Sequence, residues 1–76
     1  MDWRQHIEQK PDVMLGKPVL KGTRLTVEFV LERLSQGWPQ SDLTASFPEL
    51  GPEQIQAVMA YAASLVRMDE TIYKAG

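Results

Sequence analysis

Seventy-six residues, 43% hydrophobic and 24% charged, suffice for one small core with little stability to spare. The chain has no cysteine, which excludes a disulfide framework and any thiolate metal site. A net charge of −2 leaves no overall attraction for polyanions, so any such attraction must come from a local excess of cations.

That excess lies at the start. Residues 1–26 hold Arg4, Lys10, Lys17, Lys21 and Arg24 against Asp2, Glu8 and Asp12, whereas residues 27–66 hold Arg33 alone against Glu28, Glu32, Asp42, Glu49 and Glu53. The N-terminal "MDWRQHIEQK" lacks the apolar run of a signal peptide, and no window has the length needed to cross a bilayer. The expectation is one soluble, cytoplasmic domain over 1–76, with no membrane contact: a ribbon at 1–25, a helical core at 26–67 and a tail at 68–76.

In chain order, Pro11, Gly16, Pro18 and Gly22 break any helical period in the first 25 residues. Two short strands fit better, one around Ile7 and one at Val19–Leu20, with a turn or bulge at Gly22. Pro18 lacks an amide donor, so a strand through it belongs at a sheet edge. Thr26 has the chemistry of an N-cap and Glu28 suits the positive end of the helix dipole. Val27, Val30, Leu31 and Leu34 then make an apolar face at i, i+3, i+4, i+7, and Gly37 is a natural stop, predicting a helix over 27–36.

Pro39 suits the opening of a second helix, 40–47, which buries Leu43 and Phe47 and ends before Pro48. Gly51 and Pro52 open a third helix, 52–67, on which Ile55, Val58, Met59, Ala62, Leu65 and Val66 trace a core-facing stripe. The predicted core includes Leu31, Leu34, Leu43, Phe47, Ile55, Val58, Met59 and Ala62. The fold class is mainly α: a three-helix core of helix-turn-helix type behind a small N-terminal β hairpin or ribbon.

Catalysis finds few candidates. His6 is the single histidine and has no serine or cysteine nucleophile near it in sequence. Metal binding would need clustered His, Cys or carboxylate ligands, and none is spaced for it. Glu28 and Glu32, one helical turn apart, read as a solvated face. "GKPVLKGT" lacks the G-x-x-x-x-G-K-[ST] spacing of a phosphate loop. The expectation is a non-enzyme without metal or cofactor.

Nucleic-acid binding has better candidates. Lys17, Lys21 and Arg24 project from a glycine-shaped ribbon as possible phosphate contacts. On the outer side of the third helix, Gln56 has the amide that reads adenine, and Ala60 and Tyr61 lie beside it, with Ser64 and Arg67 nearby. Small residues with one tyrosine serve a helix–helix contact equally well, and Glu49 and Glu53 at the start of that helix repel phosphates. Arg24 has a structural alternative, a carboxylate pair with Glu28 or Glu32.

"GKPVLKGTRLTV", Gly37 and "FPELGPEQIQAVMAYA" together resemble domain-of-unknown-function family 433 over Pro11 to Ala63. Its pattern is G-K-P-V-[IV]-x-G-T-R-[IV]-x-V, a helix, a glycine, a short helix ending in aromatic-Pro-x-Leu, and a helix ending in an A-Y-A-like run. The sequence departs from it at Leu15, where the family often has a second glycine, and at Pro39, where a polar cap is usual. The resemblance implies a homeodomain-like three-helix fold with an added β element. It also implies kinship with VapB-type antitoxins, encoded beside toxins of PIN-like nuclease fold.

The expected function is therefore an antitoxin-like DNA-binding regulator of a toxin–antitoxin operon, neutralising a PIN-like nuclease. A monomer with so few basic side chains to offer binds DNA poorly, so a homodimer is expected, doubling the ribbons. Phe29, Trp38, Tyr61 and Ile72 are the apolar groups expected to lie outside the main stripe, and the dimer would use the ribbon, the third helix's tail, or both. The alternative is a protein-interaction module that docks a partner through the basic ribbon or tail and never meets DNA.

Overall fold

A computed structural model describes the backbone of residues 1–73 and side chains as far as Met68. A 3₁₀ turn at Trp3–Gln5, capped by the Asp2 carboxylate at 3.1 Å from the Arg4 amide, leads into strand β1, Ile7–Glu8. β1 pairs antiparallel with β2, Val19–Leu20, in the register Ile7 opposite Leu20 and Glu8 opposite Val19. Both strands lie where the sequence predicts them.

Pro18 behaves differently from the expectation of an edge strand. β2 starts one residue later and is flanked on both sides, by β1 and by the segment at Leu25–Val27. The Leu20 amide donates to the Leu25 carbonyl and the Val27 amide donates to the Pro18 carbonyl, so Pro18 contributes only the acceptor it has. Gly22, at φ 75, turns the chain between β2 and this third segment. Thr23 closes the turn: its hydroxyl donates to the Leu20 carbonyl at 2.9 Å and accepts from the Leu25 amide at 3.0 Å.

Helix α1, Val27–Ser35, begins as predicted, with Thr26 Oγ1 accepting from the Phe29 amide at 3.0 Å. It ends in a Schellman motif. Gln36 is the cap, Gly37 sits at φ 90, the Trp38 amide donates to the Arg33 carbonyl and the Gly37 amide to that of Leu34. α2, Gln40–Ser46, starts at the predicted residue, with Pro39 in the N-cap position; lacking a side-chain acceptor, Pro39 gives no side-chain cap. Phe47, constrained by Pro48, leaves helical geometry at φ −130 and ψ 88.

α3, Pro52–Tyr73, runs further than the predicted end at residue 67. The expected tail at 68–76 is helical backbone as far as Tyr73, and the expected role of the Ile72 side chain lies outside the described residues.

The core gathers around the first half of α3. Ile7, Leu20, Val27, Val30, Leu43, Leu50, Ile55, Ala57 and Val58 form one buried cluster, with Trp3, Phe29, Phe47 and Tyr61 packed on it. Leu31, Leu34, Phe47 and Ala62 are half-buried at its margin. Met59 is 41% exposed, which corrects its assignment to the core; Leu65 and Val66 are likewise exposed. The 3₁₀ turn, α1 and α2 all pack on α3, but they leave Leu65 to Met68 and the side carrying Met59 exposed. Phe29 and Trp38, expected among the outlying apolar groups, are half-buried: Phe29 meets Phe47 edge-on at 5.2 Å, and Arg33 lies over the rings of both Phe29 and Trp38.

Candidate functional site

The ribbon and α3 hold the residues singled out from the sequence, and the structure treats them unequally. Lys17 is committed to an ion pair, its Nζ 3.0 Å from Glu28 Oε1. The expected tie from Arg24 to Glu28 or Glu32 is absent among the described residues; lysine takes that place because it leaves the ribbon beside the first turn of α1. Lys21 and Arg24 are both exposed and make no ion pair among the described residues. They flank the Gly22–Thr23 turn, so the free positive charge of the ribbon is concentrated at one tight turn.

On α3, Gln56 is exposed and Ala60 is half-buried. Tyr61 is half-buried with its ring edge-on to Trp3, centroids 4.8 Å apart, so this ring supports the 3₁₀ turn. The cationic turn belongs to the ribbon and Gln56 to the first half of α3. From residue 38 to 66 there is no cation, while Asp42, Glu49 and Glu53 are all exposed on α2, the connecting turn and the start of α3. The helix-turn-helix unit is therefore acidic where it would approach phosphates.

Two features escaped the sequence reading. One is an open apolar groove of about 460 Å³ between α1 and α3, walled by Pro18, Val27, Leu31, Tyr61 and Leu65 with Glu28 and Glu32 at its edge. Its signal was present in the spacing of Leu31 on α1 and of Tyr61 and Leu65 on α3, but each residue reads equally well as core. The other is the loop before Lys17. Met14 and Leu15 adopt φ 48 and 59, and Gly16 follows at φ 80. Left-handed backbone is uncommon for non-glycine residues, and only Gly16 advertised it in the sequence. Leu15 is 94% exposed.

Among the described residues no group of three His, Cys, Asp or Glu side chains is placed to hold a metal ion. Among them, too, no helix is long and apolar enough to cross a membrane.

This geometry defines a class: a three-helix protein whose α2–turn–α3 unit is braced by a two-stranded N-terminal ribbon. The family model described as "Protein of unknown function (DUF433)" matches residues 7–62, and the chain belongs to that family. A solved structure of a DUF433 member protein from Anabaena variabilis is similar to it, with a TM-score of 0.74, 28% sequence identity, and coverage of 88% of this chain and 67% of that one. No curated protein matches the chain.

Proposed function

We propose that this chain is an antitoxin-like regulator that works chiefly by docking a protein, a PIN-like nuclease, and touches operator DNA through the cationic turn of its ribbon. The observation that carries the docking role is the uncovered face of α3. Met59 and Val66, two helical turns apart, are 41% and 54% exposed, and exposed Ala63 lies between them. An apolar stripe of this kind on a small acidic protein marks a surface for another protein. The nuclease identity of the partner comes from the family resemblance.

The DNA contact is the second activity, favoured by Lys21 and Arg24, cations of the ribbon turn that are exposed and make no ion pair among the described residues. The acids Asp42, Glu49 and Glu53 oppose it, and Lys17 is already occupied, so one copy offers few phosphate contacts. A pure docking module is the rival reading, and these same charges support it.

Co-expression with the product of the neighbouring gene tests the first role. Co-purification, abolished by Met59→Asp with Val66→Asp, and relief of any growth arrest caused by the neighbour would support it; a neighbour that neither binds nor arrests growth would refute it. Titration against the protein's own promoter DNA at two salt concentrations tests the second.

A further inference from the structure

We propose that the ribbon turn carries an oxyanion site, made by the Gly22 amide and the Lys10 ammonium, which the chain's own Glu8 carboxylate fills and a phosphate group takes over. The site deepens the DNA contact put forward above and rests on that reading for the source of the phosphate, a nucleic-acid backbone. Glu8 lies on β1 opposite Val19, and its carboxylate spans two donors. Oε2 accepts from the Gly22 amide at 3.3 Å, and Oε1 lies 3.8 Å from Lys10 Nζ. Carboxylate and phosphate oxygens ask for the same partners, backbone amides and cationic side chains. The Glu8 carboxylate therefore stands where a phosphate oxygen would.

The neighbouring amides of the turn are spent on the fold. Lys21 donates to the His6 carbonyl at 2.9 Å and Thr23 to the Leu20 carbonyl at 3.0 Å. Of these three amides, Gly22 alone donates to a side chain, and a side chain can rotate away while the backbone bonds of the ribbon stay made. Both holds on Glu8 are weak. The amide contact is longer than the usual N–H···O range, and solvent screens the ion pair, in which the Lys10 side chain is 58% exposed. Charge at the turn favours the exchange. Lys21 and Arg24 are one and two residues from Gly22, which puts their Cα atoms within about 4 Å and about 7 Å of its own. Both are exposed and make no ion pair among the described residues. One carboxylate leaves these two cations unmet, whereas a nucleic-acid backbone brings further phosphates to the same turn. Glu8 is then an internal competitor that sets how strongly the turn binds.

Glu8→Gln keeps an oxygen for the Gly22 amide, so the ribbon holds, but removes the competing charge. Asp12→Asn is the control, since it deletes an exposed acid of the same ribbon that makes no ion pair among the described residues. In titrations with promoter DNA, Asp12→Asn should gain about twofold, the effect of one distant charge in water. Glu8→Gln should gain about tenfold at low salt, and its salt slope should steepen by about one unit as Lys10 becomes free to meet a phosphate. Adding Lys10→Ala to Glu8→Gln should return both values toward those of the parent chain. Inorganic phosphate probes the site without DNA. Followed by amide NMR at constant ionic strength, the Gly22 signal of Glu8→Gln should shift with phosphate and saturate, at lower concentration than in the parent chain. A Gly22 signal in Glu8→Gln that ignores phosphate would overturn the proposal, as would equal DNA gains in Glu8→Gln and Asp12→Asn. A Gly22 signal that answers to phosphate in a chain that binds no DNA, parent or variant, would uphold the site and refute the operator contact.

Discussion

Lys17 and Glu28, eleven residues apart, join the ribbon to the first turn of α1 through a 3.0 Å contact between Nζ and Oε1. Both side chains are more than half exposed, at 52% and 59%, so solvent screens the attraction heavily. Lys17→Ala should therefore lower stability by no more than about 0.5 kcal/mol in chemical denaturation. The consequence for charge is larger than that for stability, because a lysine already neutralised by a carboxylate displaces few of the counterions condensed on DNA. In DNA titrations, Lys17→Ala should change the salt slope less than Lys21→Ala or Arg24→Ala. A loss above about 2 kcal/mol would mean that the pair acts as a buried tie, which its exposure argues against.

Thr26 bears more of the fold. It is 8% exposed, its hydroxyl accepts from the Phe29 amide, and its backbone bridges to Val19. Thr26→Ala leaves that amide without its acceptor at the point where ribbon and helix meet, and should cost about 1 kcal/mol, near the middle of the range for N-cap loss. Thr26→Ser keeps the acceptor and should recover most of this. Equal losses in the two variants would assign the effect to the missing methyl group instead of the cap.

Local chemistry made much of this fold legible. Thr26 with Glu28, Gly37, Pro48 and Gly51-Pro52 mark helix ends through groups that act within a few residues, and the ends of α1, the close of α2 and the start of α3 fall there. What was not legible depends on partners distant in sequence. Met59 fits the apolar period of α3, but nothing in that period says that neighbouring elements leave its side of the helix bare. Leu50 lies outside every apolar helical period, yet the short α2–α3 connection folds it inward to full burial. Of the site residues, Lys21, Arg24 and Gln56 are exposed as a contact surface requires. Lys17 and Tyr61 have structural partners, Glu28 and Trp3, that no sequence spacing announces.

Leu50 also offers the sharpest test of the connection between α2 and α3. Its side chain is fully buried, its amide donates to the Phe47 carbonyl at 2.8 Å, and its carbonyl accepts from Thr44 Oγ1 at 2.8 Å. Leu50→Ala should cost about 2–5 kcal/mol, the range for a buried leucine that leaves a cavity. Thr44→Val removes only the hydroxyl bond, made at a partly buried site, and should cost about 1 kcal/mol. Thermal melts of the two variants should therefore separate widely. Similar small shifts would indicate that the turn closes over the space left by the leucine.

The acids of the helix-turn-helix unit decide between the two proposed activities. Glu49 in the α2–α3 connection and Glu53 in the first turn of α3 are exposed where a duplex approaching Gln56 would bring phosphates close to them. Replacing both with glutamine removes two negative charges at little change in shape. The fold should lose no more than about 1 kcal/mol, chiefly because Glu53 sits in the first turn of α3 and favours its dipole. For a chain that binds DNA across this surface, affinity for promoter and unrelated DNA should both rise, most strongly at low salt, where screening is weakest. Arg24→Ala in the same background should reverse much of that gain and flatten the plot of log affinity against log salt by about one unit, the contribution of one phosphate contact. For a chain whose role is docking alone, the double glutamine variant should leave DNA binding negligible and partner binding through Met59 and Val66 intact. DNA affinity that stays flat through both changes, at both salt concentrations, would remove the operator contact and leave the protein partner as the sole activity.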